Sequence, residues 1–381
     1  MKNTFSLLFL FIILITIGCN ENGEKLLTPD VESNIAIDST KTLNINDFNL
    51  LLSHRGLISN GMWNNVYVIN LAGLWIGMDN NSAPRGNIVT TEAIPYSNYT
   101  SKWSNKQLGT YSLKAGVKYY TENWPVSYGA PVDASGFPKI YGDAMCWTSL
   151  QSDTTMKNQS IFASPINGLR VTEAVFGYQK DDLRNVIFIK YGITNLSPVN
   201  WNNLYIGFYS DTDLNAAGFN RTGYDQARSI SYTYDTTANY TTGFSFLELP
   251  KNVGIKSHRI MRKNNYINPD YGEYSFTSPQ QIIYALKGLS NFGQPMINPI
   301  TGLETNFAFT GDPVTHTGWL DSPVDVRSMI SSESFSLNSG ETTWVTIVWV
   351  VTRETTLDNS LKSLKSQIDQ IKLNTSYWQF H

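Results

Sequence analysis

The chain has 381 residues, and its 28 Lys and Arg against 31 Asp and Glu leave a formal net charge of -3. Charged residues make up only 15% of the chain, below the roughly 25% usual for globular domains, whereas aromatic residues reach 13%. This composition excludes an intrinsically disordered chain, and the missing basic excess excludes a generic nucleic-acid binder. We therefore expect a folded, aromatic-rich protein with one large core or two smaller ones.

The N-terminus carries the features of an export signal. Lys2 precedes an unbroken apolar run at residues 7–15, which is shorter than the roughly 20 residues of a membrane-spanning helix. The run is followed by Gly18-Cys19, an arrangement that resembles the bacterial lipoprotein signal, in which a small residue precedes a lipidated Cys. We expect residues 1–18 to be a signal peptide and Cys19 to carry the lipid, since each buried CH2 adds about 0.8 kcal/mol of membrane affinity. The alternatives are an uncleaved anchor and cleavage without lipid.

The lipoprotein signal leads to further expectations about location and stability. Residues 19–43 are mostly polar and contain no aromatic residue, so they are predicted to be a flexible tether. With Cys19 lipidated, Cys146 is the one remaining thiol, so the domain has no internal disulfide and Cys146 is expected to be buried and inert. The expected location is the bacterial cell envelope, at the outer membrane, on either its periplasmic or its surface face.

From residue 44 onward, short apolar or alternating runs are separated by clusters of Asn, Gly, Asp, Ser and Pro, a pattern typical of all-β proteins. Two runs, 186–193 and 343–351, are apolar on both faces, as expected of central strands in a layered structure. The run 204–209 follows the first of them after a turn-rich loop and is predicted to pair with it antiparallel. Further strands are predicted at 66–71, 161–163, 230–234, 243–249 and 281–286.

One helix is predicted, at residues 357–373. Its apolar residues recur at spacings of four and three, which places them on one helical face: Leu357, Leu361, Leu364, Ile368 and Ile371. Thr356 or Asp358 could cap its start. The predicted fold is therefore a large antiparallel β-sandwich over residues 44–381 that ends in this amphipathic helix. Two lobes that meet near residue 165 are the alternative.

Several motifs occur together in a characteristic order. They are GLWIG at 73–77, GDAMCW at 142–147, YGITN and DTDL within 191–214, GDPVTHTGW at 311–319, and the C-terminal helix. In order and spacing, over most of residues 60–370, they resemble a broad group of exported bacterial β-rich surface proteins. The resemblance implies a surface protein but no particular chemistry, because no activity is established for that group. Many of its members carry further β-domains or a C-terminal sorting domain, which lipid at Cys19 would replace here.

The loop that follows the predicted strand 204–209 contains candidate metal ligands. Carboxylates at Asp211 and Asp213 can turn towards one cation, and Ca2+ takes six to eight oxygen ligands. Asp225, with Asn215 or Asn220 and backbone carbonyls, could supply the others. The spacing does not match an EF-hand loop, so the prediction is an irregular, structural calcium site. The alternative is a polar loop whose side chains cap their own turns.

Exposed aromatic side chains could form a platform for sugar rings. Trp63, Trp124 and Trp201 each lie close to Asn residues that could bond hydroxyls, whereas the alternative is that these rings are core. Asp312 and Trp319 belong to a second polar cluster with a possible ligand-binding role. In that cluster Asp325 and Arg327 are two residues apart, and the alternative there is a salt bridge that holds a long loop.

Catalytic motifs are missing from the sequence. There is no GxSxG motif, and the four His residues do not have a metal-binding spacing. A pair of glycosidase carboxylates is recognised by its separation in the folded protein, so the sequence alone does not identify one. The sequence therefore favours a non-enzymatic binding or structural surface module that calcium stabilises. Its expected partners are the membrane, through the lipid, and a glycan or a surface protein, but no nucleic acid. The alternative is a carbohydrate-active enzyme or a glycan-binding component of a surface uptake system.

Overall fold

The structure is a computed structural model that describes residues 32–33, 35–80, 85–88, 109–152, 166–262, 278–323 and 325–380. The predicted signal peptide, Cys19 and the predicted strand 161–163 lie outside these residues. None of the helices in the described part of the chain is long and apolar enough to cross a membrane.

Short strands dominate the described residues, together with two α-helices. The strands are β1 (Glu32–Ser33), β2 (Ala36–Asp38), β3 (Thr40–Ile45), β4 (Phe48–Ser53), β5 (Ile58–Trp63), β6 (Val66–Met78), β7 (Arg85–Ile88), β8 (Thr110–Lys114), β9 (Lys118–Tyr119), β10 (Ala144–Gln151), β11 (Leu169–Gly177), β12 (Val186–Asn195), β13 (Trp201–Asp211), β14 (Asn220–Asp225), β15 (Ile230–Asp235), β16 (Tyr240–Glu248), β17 (Ile255–Arg262), β18 (Met296–Ile297), β19 (Glu304–Thr305), β20 (Val326–Ser332), β21 (Phe335–Leu337) and β22 (Thr342–Arg353). The helices are α1 (Pro279–Leu286) and α2 (Leu357–Leu373).

Most strands belong to two large antiparallel sheets that pack against each other. Sheet I has the order β14-β15-β16-β22-β12-β11-β10-β8-β2. Sheet II has the order β17-β20-β13-β6-β5-β4-β3, with β21 beside β13 and β7 beside β6. This architecture confirms the predicted antiparallel β-sandwich. Strands from both sides of residue 165 are neighbours in both sheets, so the described chain does not divide into two lobes there.

The alternation of side chains along β12 shows where the apolar cores lie. Ile187, Ile189 and Tyr191 point into the core between the sheets, whereas Val186 and Phe188 point to a second core on the outer face of sheet I. Strand β22 repeats this pattern. Both runs are therefore central strands, as their two apolar faces predict.

Helix α2 has the predicted bounds and covers the outer face of sheet I. The side chain of Thr356 accepts a hydrogen bond from the backbone N–H of Asn359, so Thr356 is the N-cap. Leu361, Leu364 and Ile368 are buried in the outer core against sheet I. The helical stripe read from the sequence is thus the face that packs on the sheet.

The predicted strand at 281–286 is wrong, because these residues form helix α1. Pro279 occupies the first turn, and the Gln281 side chain accepts a hydrogen bond from the N–H of Ser278 at 3.2 Å. Helix α1 packs on the outer face of sheet II above Gly77 and Gly207. A Cβ atom at Gly77 would lie 2.5 Å from an α1 side chain, so the two glycines let the helix come close to the sheet.

The predicted pairing between β12 and β13 is also wrong. Strand β12 pairs with β11 and β22 in sheet I, whereas β13 pairs with β20, β21 and β6 in sheet II. The loop between them therefore carries the chain from one sheet to the other. The Asn195 side chain holds the start of this crossing, where it donates to the carbonyls of Val199 at 2.8 Å and Leu337 at 3.1 Å.

The predicted tether is too long at its C-terminal end. Strand β2 pairs with β8, and β3 pairs with β4, so residues 36–38 and 40–43 belong to the two sheets. Leu43 and Ile45 alternate into the core, which explains why this polar segment is nevertheless ordered by the sandwich.

Candidate functional site

A buried ion pair lies where two neighbouring strands of sheet II meet. Asp211 is the last residue of β13, and Arg327 stands opposite it near the start of β20. The side chains of Asp211 and Arg327 are only 1% and 3% exposed, and Arg327 Nε lies 3.1 Å from Asp211 Oδ1. The register of the sheet therefore places a carboxylate and a guanidinium side by side in a low-dielectric position.

Two further carboxylates join this pair. Asp213 follows β13 by two residues, and Asp325 immediately precedes β20. One oxygen atom from each of Asp211, Asp213 and Asp325 lies within 4.8 Å of the other two. Because Ca2+–oxygen bonds are roughly 2.3–2.6 Å long, ligands on one ion stand up to about 5 Å apart. This acidic triad, Asp211, Asp213 and Asp325, could therefore hold a metal ion.

A third strand fixes the orientation of the Asp211 carboxylate. Asn70 on β6 donates from Nδ2 to Asp211 Oδ2 at 2.8 Å, and the hydroxyl of Tyr67 donates to Asn70 Oδ1 at 3.1 Å. Burial raises the pKa of Tyr67, and the charges of Asp213 and Asp211 raise it further, so the hydroxyl keeps its proton. The hydrogen bonds from Tyr67 through Asn70 thus hold the Asp211 carboxylate in one orientation.

The pKa of Asp211 is shifted mainly by burial, and the charge of Arg327 is the largest effect that opposes it. Burial raises the pKa of Asp211 to about 6; Arg327 and Asn70 oppose this effect, whereas Asp213 and Asp325 add to it. With all three acids ionised, their negative charges lie beside the positive charge of Arg327, whose guanidinium also contacts Asp325. An all-oxygen ligand set of this kind suits Ca2+.

The structure separates the predicted calcium ligands into two groups. Asp211 and Asp213 belong to the triad, whereas the side chains of Asn215 and Asn220 make hydrogen bonds elsewhere. Asn215 Nδ2 donates to Asp235 Oδ2 at 2.8 Å. Asn220 Oδ1 accepts from the N–H of Leu214 at 2.8 Å, and its Nδ2 donates back to the same residue's carbonyl. Asn220 thus agrees with the alternative of a polar loop whose side chains bond their own backbone.

Asp225 is also not a ligand of the triad. Its carboxylate lies 3.1 Å from Lys365 Nζ on α2 and 3.3 Å from Arg228. Burial alone would raise the pKa of Asp225, but the attraction of Lys365 and Arg228 lowers it below the usual value. Asp225 therefore anchors helix α2 to sheet I.

Three residues of the site were not connected with Asp211 by sequence reasoning. The predicted contact between Asp325 and Arg327 exists, but its place beside Asp211 depends on the pairing of β13 with β20. Asn70 was missed altogether. The signal that could have found it is an amide within the otherwise apolar run that forms β6.

Two residues of the predicted aromatic platform are mostly buried, which favours the alternative that these rings are core, although Trp201 also borders a surface groove with Asn202 and Asn203. Trp124 and Trp201 are each 4% exposed and belong to the outer and inner cores, respectively. Trp124 packs 5.2 Å from the ring of Trp147, and its indole N–H donates to a backbone carbonyl. Trp63 is half-buried and packs edge-on against Tyr240 at 6.4 Å.

The remaining predicted residues have local structural contacts. Trp319 is half-buried and packs edge-on against Phe309 at 5.1 Å. Asp312 Oδ1 accepts from the N–H of Val314 at 3.0 Å within a turn. Cys146 is fully buried, and burial raises the pKa of its thiol to about 12, as expected for an inert cysteine.

No protein-family model and no curated protein sequence matches this chain. Among solved structures, it is similar to a candidate kojibiose phosphorylase from the human microbiome, with 7% identity and a TM-score of 0.32 over 62% of this chain and 21% of that one. A bacterial glucoamylase complexed with acarbose gives 11% identity and a TM-score of 0.40 over 92% and 39% of the two chains. An amine oxidase of Aspergillus nidulans gives 8% identity and a TM-score of 0.40 over 91% and 56%. The chain spans less than two thirds of each of these proteins, and likenesses this distant assign no function.

Proposed function

We propose that the protein is an exported, lipid-anchored surface module that binds or supports other molecules without chemical turnover, and that Ca2+ at the acidic triad stabilises its sandwich. The observation that supports the calcium site is the approach of three carboxylates to within 4.8 Å of one another. Asp211 Oδ1 already forms an ion pair with Arg327 Nε at 3.1 Å, so the carboxylate is ionised and oriented beside the other two acids. A cation would relieve the repulsion between the acids.

The position of the triad explains why the ion would be structural. Asp213 and Asp325 lie on the two chain segments that flank the β13–β20 pair, and Asp211 lies inside it. An ion bound by all three carboxylates would cross-link these segments where β13 ends and β20 begins. A ligand that binds only the folded state stabilises it by about 2.7 kcal/mol at a hundredfold excess over its dissociation constant.

The described residues offer little support for hydrolytic chemistry. The most suggestive pair is Ser231 and His258, whose Oγ and Nε2 atoms lie 3.1 Å apart while His258 Nδ1 faces the carbonyl of Ala308. Both side chains are buried, and burial lowers the pKa of His258 to about 4. Because both side chains are buried, a substrate cannot reach them, and the pair belongs to a buried polar network.

Thermal unfolding of the full chain with Ca2+ and with chelator tests the calcium site. We expect Ca2+ to raise the melting temperature by about 3 °C or more, and Asp213→Asn to remove this increase because it deletes one anionic ligand. Asp181→Asn is the matched control, since Asp181 is an exposed acid at the other sheet and should leave the increase intact. Equal melting curves with Ca2+ and chelator would contradict the proposal.

Membrane fractionation tests the proposed lipid anchor. The full chain should partition with membranes when expressed with its signal, whereas Cys19→Ala should move it to the soluble fraction because the acyl chains supply the membrane affinity. Cys146→Ala is the control, since its thiol is buried in the core. Partitioning that is unchanged in Cys19→Ala would show that lipid at this residue is not the anchor.

A further inference from the structure

A row of three polar side chains crosses the outer face of sheet I. Lys190 on β12 is the register partner of Thr346 on β22, which in turn is the partner of Glu248 on β16. Lys190 Nζ donates to Glu248 Oε2 at 2.9 Å and to Thr346 Oγ1 at 3.3 Å, and Thr346 Oγ1 donates to Glu248 Oε2 at 2.7 Å. The Lys190 side chain is 1% exposed and that of Glu248 is 16% exposed, so the row holds a carboxylate in place at the surface.

An irregularity in β16 directs Glu248 to this face. Phe246 pairs with Ile347, but the next pairing is Glu248 with Thr346, so Leu247 is an extra residue in the strand. Without this bulge Glu248 would share the inner face of the sheet with Phe246. β-Bulges commonly re-aim a side chain at a functional position. Here the bulge moves an acid from the apolar interior to the outer face.

An indole ring lies beside this carboxylate. Trp344 is two residues from Thr346 on β22 and so shares its face, and its ring packs over Gly192 on the neighbouring strand. A Cβ atom at Gly192 would stand 2.8 Å from that ring, so glycine is what lets the indole lie close to the sheet. Lys190 Nζ stands 5.0 Å from the centre of the ring, which fixes the indole beside the row.

These side chains border a surface groove of about 600 Å3. Besides Glu248 and Trp344, the groove has uncharged polar lining residues: Thr342, Thr343, Asn252 and Gln379. It also has apolar ones: Phe246, Leu247, Leu249, Val253 and Trp378. The two charged lining residues each have an ion-pair partner, because Lys190 lies 2.9 Å from Glu248 and Glu341 lies 3.6 Å from Lys251. A groove with paired charges, an indole and several uncharged polar groups suits a neutral ligand rich in hydroxyl groups.

We propose that this groove binds a neutral carbohydrate, with a sugar ring against the Trp344 indole and sugar hydroxyls donating to Glu248. Lys190 and Thr346 are positioning residues that hold the carboxylate. Burial lowers the pKa of Lys190, and the charge of Glu248 opposes this effect, so the pair is electrostatically interdependent. The groove lies on sheet I and the acidic triad on sheet II, so failure of one site leaves the other untouched.

Binding of a defined panel to the full chain tests this site. The probes are cellotetraose, maltotetraose, β-1,4-mannotetraose and xylotetraose, and the readout is saturation-transfer NMR followed by calorimetric titration. We expect at least one neutral oligosaccharide to bind with a dissociation constant below about 1 mM. Glu248→Gln should weaken that binding by about tenfold or more, because a hydrogen bond to a charged acceptor is lost.

Two further variants distinguish loss of the binding site from loss of the folded structure. Trp344→Ala should abolish binding, and its thermal unfolding transition reports whether the sandwich persists. Glu333→Gln is the matched control, since Glu333 lies 3.6 Å from Lys256 in sheet II and should leave binding unchanged. The proposal is overturned if no panel member binds at about 5 mM, or if folded Glu248→Gln binds as tightly as the wild type.

Discussion

Glu173 is a carboxylic acid enclosed between the two sheets. It lies on β11 opposite Tyr191 on β12, and the Tyr191 hydroxyl donates to its Oε1 at 2.8 Å. No described residue is hydrogen-bonded to its Oε2. Burial raises the pKa of Glu173 to about 8, while the hydrogen bond from Tyr191 opposes the shift. The side chain is therefore protonated in the folded protein at neutral pH.

This raised pKa predicts how stability depends on pH. The unfolded chain loses the Glu173 proton above about pH 4.3, whereas the folded chain keeps it up to about pH 8, so the free energy of unfolding should fall as pH rises through this range. Glu173→Gln removes the titration, and its stability relative to the wild type should rise by about 1.4 kcal/mol per pH unit between about pH 5 and 8. Urea unfolding of both proteins at about pH 5 and at about pH 8 measures this difference.

Exposed Glu122 provides the control, because Glu122→Gln removes an acid without removing a buried proton. Its stability should follow that of the wild type at both pH values. A Glu173→Gln variant that also tracks the wild type would show that Glu173 ionises normally in the folded protein.

Only part of the acidic triad could be predicted from the local sequence. Asp211 and Asp213 are two residues apart after a strongly apolar strand, so their common site could be predicted from the sequence. Asp325 is separated from Asp211 by more than a hundred residues, and only strand pairing brings the two together. Asp225 is close in sequence, but its carboxylate turns to Lys365 on α2 because an ion pair is available there.

At the scale of elements, helix α2 is held to sheet I by one apolar stripe. Leu364 is fully buried, and its side chain would stand 3.1 Å from a Cβ atom at Gly243 on β16. Leu364→Ala should lower the free energy of unfolding by about 3 kcal/mol, because it removes buried methyl groups and leaves a cavity. Urea unfolding of the full chain measures the loss.

The same helix offers a matched control. Leu373 ends α2 and is 86% exposed, so Leu373→Ala should change stability by less than about 0.5 kcal/mol. Equal losses for the two leucine variants would mean that the stripe does not dock the helix.

The contrast between the two helices shows where periodicity fails as a predictor. Helix α2 has 17 residues, long enough for a stripe at spacings of three and four to be distinguished from a strand. Helix α1 has 8 residues, and its apolar run fits either structure unless the Ser278–Gln281 capping box is recognised. The loop after β12 indicated a change of direction, but turn residues do not specify which sheet receives the next strand.

At the scale of the whole molecule, the sandwich places its two candidate sites on different sheets. Strand β22 lies between β12 and β16 although it comes from the C-terminal part of the chain, and no local pattern predicts this insertion. The row from Lys190 to Glu248 exists only because of it. The apolar faces of β12 and β22 predicted their central position, whereas their neighbours depend on the complete set of strands.

Calorimetric titration of the metal-free full chain with CaCl2 tests the proposed cation site most directly. We predict saturable binding of one ion per chain near pH 7.5, and weaker binding near pH 5, because burial raises the pKa of Asp211 to about 6 and its protonated form is a poor ligand. Asp211→Asn should abolish the binding heat at both pH values. Absence of saturable binding near pH 7.5, or unchanged binding in the Asp211→Asn chain, would contradict a calcium-stabilised sandwich.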